Sequence, residues 1–149
     1  MSRTYVIAVR PIGQQTGADL VADADGICGE RFETIGKTDT AYRIKAQSGG
    51  LMLDLDAEWD DEADPDDPIP YHLFPWEFVK DDGQGREAKR LVFNLLRDLY
   101  VGLVTTGRYH CMFYLPDSET VIASNVPGYE KGAVQELYEP DAFARWTNR

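Results

Sequence analysis

The sequence predicts an α+β protein: an antiparallel sheet of about five to seven strands packed on one long central helix, with a short C-terminal helix. Three observations predict this fold. A period-two alternation covers residues 51–59, a helical stripe covers residues 86–106, and short apolar segments bounded by turn residues lie around them. A chain of 149 residues can bury roughly 68–70% of its unfolded surface in one core. We therefore expect a single domain over residues 1–149, with an acidic, proline-rich loop at residues 60–70.

The first strand is predicted over residues 4–12, where Tyr5, Ile7 and Val9 share one face and Pro11 ends the element. Short turn-bounded segments predict further strands at residues 19–25, 30–35 and 41–46. The first of these is expected to end in a plain turn at Asp25 and Gly26.

The clearest strand signal covers residues 51–59. Its odd-numbered positions are apolar and its even-numbered positions are mostly acidic, so the two sets point to opposite faces. A strand of this kind is typical of an antiparallel sheet that is solvated on one side.

The one strong helix is predicted over residues 86–106. A single apolar stripe recurs there at spacings of three and four: Ala88, Val92, Leu95, Leu96, Leu99 and Leu103. Two strands follow at residues 108–115 and 120–124, and Pro140 fits the first turn of a short helix over residues 140–146. The aromatic segment at residues 71–79 is expected to cross the sheet edge or to support the acidic loop.

Negative charge is concentrated in one part of the chain. The formal charge of −11 comes from 26 acidic and 15 basic residues, but no Lys or Arg occurs between Lys45 and Lys80. Nine acidic residues fall within 14 positions: Asp54, Asp56, Glu58, Asp60, Asp61, Glu62, Asp64, Asp66 and Asp67. The other 135 residues hold 17 acidic against 15 basic residues, so the charge is a local feature of a nearly neutral protein.

Three interpretations of this acidic segment, residues 54–67, compete. It is a solvated face with a solubilising loop, a docking surface for a basic partner, or a set of calcium ligands. Carboxylates on alternate strand residues stand about 7 Å apart, comparable to the spacing of phosphates along a nucleic acid. Such a row could occupy a groove that binds phosphates. The calcium interpretation lacks a glycine in the loop to turn around an ion.

Aromatic residues border the acidic segment. Trp59 shares the leucine face of its strand and is expected in the core, whereas Trp76 is included with the nine acidic residues as a candidate partner-binding residue.

The motif search assigns no catalytic, cofactor-binding or metal-ligating residue. Gly83 and Gly85 lack the third glycine of a dinucleotide loop and the lysine of a phosphate loop. An EF-hand aligned on Gly26 would place Val21 and Phe32 where carboxylates are required. A four-ligand zinc site would need every histidine and cysteine: Cys28, His72, His110 and Cys111.

The charge and the N-terminal sequence limit the ligands and the cellular compartment that we expect. Clustered Lys and Arg are what bind phosphates, so direct binding to nucleic acid or an anionic membrane is not expected. The N-terminus alternates like a strand and does not resemble a secretory signal. Two cysteines are too few for a disulfide framework, although one bridge between them stays open. We expect a cytoplasmic protein, with its oligomeric state undetermined.

The function predicted from these observations is binding without catalysis. A small acidic protein would inhibit or neutralise a basic protein, such as a toxin or a nucleic-acid-handling enzyme, by occlusion. That general character is shared by bacterial toxin-immunity proteins and phage anti-defence proteins, although no residue motif defines a family here. The alternatives are a structural component, or an enzyme or small-ligand domain with a scattered site that includes His72, Glu77, Tyr109 and His110.

Overall fold

The computed structural model describes residues 4–29, 32–37, 42–46, 52–55, 69–81 and 85–147. In these residues it contains the strands β1 (Thr4–Pro11), β2 (Phe32–Lys37), β3 (Tyr42–Ala46), β4 (Met52–Leu55), β5 (Trp76–Asp81), β6 (Tyr109–Leu115) and β7 (Thr120–Ser124). The helices are α1 (Gly17–Cys28), α2 (Arg86–Thr105), α3 (Val134–Leu137) and α4 (Ala142–Thr147), with a 3₁₀ turn at Tyr71–Leu73. The α+β class is confirmed.

All of these strands join one antiparallel sheet in the order β2-β3-β4-β5-β1-β6-β7. The first strand of the chain therefore lies inside the sheet, paired with β5 on one side and β6 on the other. Both β5 and β6 run opposite to β1, so they are parallel to each other, and α2 connects them.

The sheet is covered on both faces around β1. Tyr5, Ile7 and Val9 enter a core beneath the helices, which we call the helix-side core. Val6 and Ala8 enter a second cluster, the second-face core, together with Ile69, Phe74, Met112, Tyr114, Val121 and Val126. Strand β1 is therefore buried on both faces, because residues 69–74 pack against the second face and exclude solvent from it.

The strand predicted at residues 19–25 is wrong, because this segment belongs to α1. Thr16 and Asp19 form a reciprocal capping box that satisfies main-chain N–H groups at the helix start. Leu20 and Ala24 lie one turn apart and are buried, and Gly29 ends the helix with a φ of 67°. Asp25 and Gly26 are thus helical rather than a turn. The helix layer contains α1 beside α2, where the sequence predicted one long helix.

The aromatic segment at residues 71–79 is more central than expected. Its second half is β5, which lies between β4 and β1 rather than at the sheet edge. Trp76 and Phe78 enter the helix-side core, while Phe74 enters the second-face core. The segment therefore contributes aromatic side chains to both cores.

The chain that follows β7 turns back and pairs with the end of its free edge. Ser124 and Lys131 exchange two main-chain hydrogen bonds of 2.8 and 3.1 Å. Gly132, at a φ of 72°, approaches so closely that a Cβ there would lie 2.9 Å from the carbonyl oxygen of Ile122. This turn therefore covers part of the edge of β7.

Candidate functional site

The acidic segment begins on strand β4 of the sheet. Asp54 lies in β4, where the strand register pairs it with Arg43 on β3 and Glu77 on β5. The other eight acidic residues lie outside the described part of the chain: Asp56, Glu58, Asp60, Asp61, Glu62, Asp64, Asp66 and Asp67. Their role as partner-binding residues stays a prediction.

Both ends of this segment are anchored in the protein interior. Leu53, directly before Asp54, is fully buried in the helix-side core. Ile69, two residues after Asp67, is fully buried in the second-face core, where Phe74 joins it. The two anchors therefore lie in different cores, on opposite faces of the sheet.

Trp76 is not an exposed anchor. Its side chain belongs to the helix-side core, and only 6% of the residue is accessible. In the register Trp76 pairs with Val9 on β1, which is fully buried in the same core. It therefore offers little surface to a partner, and we omit it from the docking surface.

The structure separates two residues of the alternative scattered site, Tyr109 and His110. Tyr109 is fully buried, and its hydroxyl donates a 2.6 Å hydrogen bond to Asp23 Oδ2 of α1. His110, the next residue of β6, accepts a 3.1 Å hydrogen bond at Nδ1 from Arg10 Nε of β1. Because neighbouring strand residues point to opposite faces, the side chains of Tyr109 and His110 lie on opposite sides of the sheet. His72 is exposed in the 3₁₀ turn.

Asp23 is the centre of a cluster that the sequence did not reveal. It accepts the hydrogen bond from Tyr109 and forms an ion pair with Arg108. Burial raises the pKa of Tyr109, and the hydrogen bond to Asp23 raises it further, so the phenol stays protonated. These contacts hold α1 against the start of β6, although the two elements are more than 80 residues apart in the sequence. Local sequence spacing therefore could not predict them.

The His110 imidazole is held neutral by its surroundings. Burial lowers its pKa, and the positive charge of Arg10 lowers it further. Arg10 donates to Nδ1, which requires that nitrogen to be unprotonated.

Stability should therefore fall as the pH drops through the range just below about 6.5, the usual pKa of an unfolded histidine. In that range the unfolded chain binds a proton that the folded protein resists. We expect an Arg10→Met variant to raise the pKa of His110 in a ¹H–¹⁵N NMR titration, and a His110→Asn variant to lose this part of the pH dependence in urea unfolding. A wild-type His110 that titrates above 6.5 would contradict the assignment.

The cysteines do not form a bridge or a metal site in the described residues. No disulfide joins Cys28 and Cys111. Burial raises the pKa of Cys111, which keeps the thiol protonated and unreactive. In the ranges that the structure describes, no three His, Cys, Asp or Glu side chains are close enough together to hold a metal ion.

A shallow hollow of about 440 Å³ lies beside the start of β7. Its lining residues are Glu119, Thr120, Val121, Tyr129, Glu130 and Lys131. Neither Arg10 nor His110 is among the described residues that line it, so it is separate from the His110 pair.

Within the described residues, no helix has the length and apolar character needed to cross a membrane. No protein-family model, curated protein or solved structure matches the chain.

Proposed function

We propose that the protein is a non-catalytic inhibitor that binds a basic surface of another protein through its acidic segment and occludes it. In this proposal it acts in the bacterial cytoplasm, in the manner of a toxin-immunity or phage anti-defence protein. The partner is a basic protein, such as a toxin or a nucleic-acid-handling enzyme with a cationic cleft. Neither nucleic acid nor a membrane is a direct ligand.

The observation that carries the proposal is the concentration of charge. Nine carboxylates occur within 14 residues of a chain whose remainder is nearly neutral. Like charges at this density repel one another, and that repulsion costs folding free energy. Lys and Arg side chains of a partner relieve the repulsion on binding and also accelerate the diffusional encounter.

The two anchors add support. Leu53 and Ile69 are both fully buried, so the segment between them is tethered at each end. A tethered segment has fewer conformations to lose on binding than a free acidic tail of equal length, which lowers the entropic cost of docking.

A charge-reversal variant tests the proposal. Replacing Asp54, Asp56 and Glu58 with lysine changes the formal charge from −11 to −5. We expect the affinity for a basic partner, such as the product of an adjacent toxin gene, to fall by about 100-fold or more, because close charge pairs at interfaces contribute over a kcal/mol each. Titration calorimetry measures the change.

The matched control makes the same charge change elsewhere. Glu87, Asp117 and Glu136 are exposed acidic residues outside the segment, and their replacement by lysine also gives −5. This control is expected to keep its affinity within about threefold, since exposed peripheral charges contribute little. Equal losses in the two variants would reduce the effect to net charge and would contradict a localised docking surface.

A further inference from the structure

The last described residues, 133–147, form a C-terminal arm that contains α3 and α4. Two of its apolar residues, Leu137 and Ala142, are buried in the helix-side core. Phe143 packs edge-on against the buried ring of Phe93 on α2, with centroids 5.9 Å apart. The arm therefore closes the core over α2.

Two arginine side chains of α2 contact aromatic rings of the arm. The guanidinium of Arg97 lies 4.3 Å from the ring centroid of Tyr138, whose hydroxyl donates a 3.0 Å hydrogen bond to Asp98. The guanidinium of Arg90 lies 5.4 Å from the ring of Phe143. Both distances are within the range of cation–π attraction.

The main chain of the arm is not part of the sheet. The hydrogen bonds between Ser124 and Lys131 end the sheet-like pairing just before the arm begins. Among the described residues, the main-chain bonds of the arm are local, for example from Arg145 N to Asp141 O. The side chain of Arg145 also binds Glu139 and Asp141 within the arm. Opening the arm thus breaks side-chain contacts without breaking a sheet ladder.

We propose that the C-terminal arm is a cover that opens as one unit about residues 132–133 while the sheet and α2 stay folded. Gly132 is fixed against β7, so the motion begins immediately after it. The open form exposes the ring of Phe93 and releases the guanidinium groups of Arg90 and Arg97 from their aromatic partners. It also moves three carboxylates of the arm, at Glu136, Glu139 and Asp141, away from α2. The arm thus conceals the ring of Phe93 and the guanidinium of Arg90, while Arg97 keeps its 3.1 Å ion pair with Asp98 on α2.

Native-state hydrogen exchange of the full chain tests this proposal. The amides of Tyr138, Ala142 and Arg145 are expected to share one opening free energy and one denaturant slope, both smaller than those of β1 and β6 amides. A Phe143→Ala variant is expected to accelerate exchange of these three amides by about tenfold and to change β1 and β6 by less than about twofold. Leu91→Ala, at a residue 64% exposed on α2, is the matched control and should change neither group.

Two outcomes would overturn the proposal. In the first, the arm amides exchange with the same free energy and slope as β1 and β6, which makes the arm part of the global unfolding unit. In the second, the three amides exchange independently, without denaturant dependence and without a response to Phe143→Ala, which reduces the behaviour to local fraying.

Discussion

Replacing Phe113 with alanine is expected to lower the free energy of unfolding by about 3–5 kcal/mol, the usual cost of deleting a buried aromatic ring. Phe113 is fully buried on β6 and lies at the centre of an aromatic cluster. Its ring centroid is 6.0 Å from Tyr5, 6.1 Å from Phe93 and 6.2 Å from Tyr100. The ring thereby links β1, α2 and β6, and the cavity left by alanine cannot be filled by collapse of one element.

Urea unfolding followed by tryptophan fluorescence and circular dichroism measures this change. Phe113→Leu retains part of the volume and should lose less stability, which keeps the prediction testable if the alanine variant fails to fold. Leu91→Ala on exposed α2 surface is expected to remain within about 0.5 kcal/mol of the wild type. A loss below about 1 kcal/mol for Phe113→Ala would contradict the close packing of this ring against Tyr5, Phe93 and Tyr100.

A pair of glycine substitutions should change stability in opposite directions. Gly102 lies in α2 where α1 crosses it, and a Cβ there would lie 2.8 Å from three side-chain atoms of Ile27. Gly102→Ala is expected to destabilise the protein by about 1–3 kcal/mol because the two helices must separate. Gly26 lies in α1 with no atom within 4 Å of its Cβ position. Gly26→Ala is expected to stabilise the protein by about 0.5–1 kcal/mol through helix propensity alone.

Thermal and urea unfolding of both variants measure the difference. Each substitution removes the same glycine entropy, so each serves as the control for the other. Stabilisation by Gly102→Ala would show that α1 and α2 are not in the close contact described above.

The elements with strong local periodicity were predictable from the sequence. Strand β1 and helix α2 each carry one regular apolar stripe, and the structure places both within a residue of the predicted bounds. Helix α1 was mispredicted because Asp25 and Gly26 resemble a turn. The informative signal was instead the pair Thr16 and Asp19, a capping box that uses aspartate in place of the more familiar glutamate.

The parts that depend on distant contacts were not predictable. Nothing near Ile69 in the sequence indicates that it packs on the second face of the sheet, because its partners come from strands far along the chain. The same reason hides the Asp23 cluster, which joins α1 to β6. Trp76 was misplaced because a tryptophan near charges fits an interface and a core equally well, and only the pairing of β5 with β1 distinguishes them. The acidic segment itself is evident in composition, while its docking role remains a proposal.

In our proposal the acidic segment attracts a basic partner electrostatically. The association rate constant for such a partner, measured by stopped-flow fluorescence over a range of ionic strength, reports this attraction. We expect a rate for the wild type that falls steeply as salt increases, and a rate that is lower and depends less steeply on salt for the variant in which Asp54, Asp56 and Glu58 are replaced by lysine. The same rate and the same salt dependence in both proteins would contradict it.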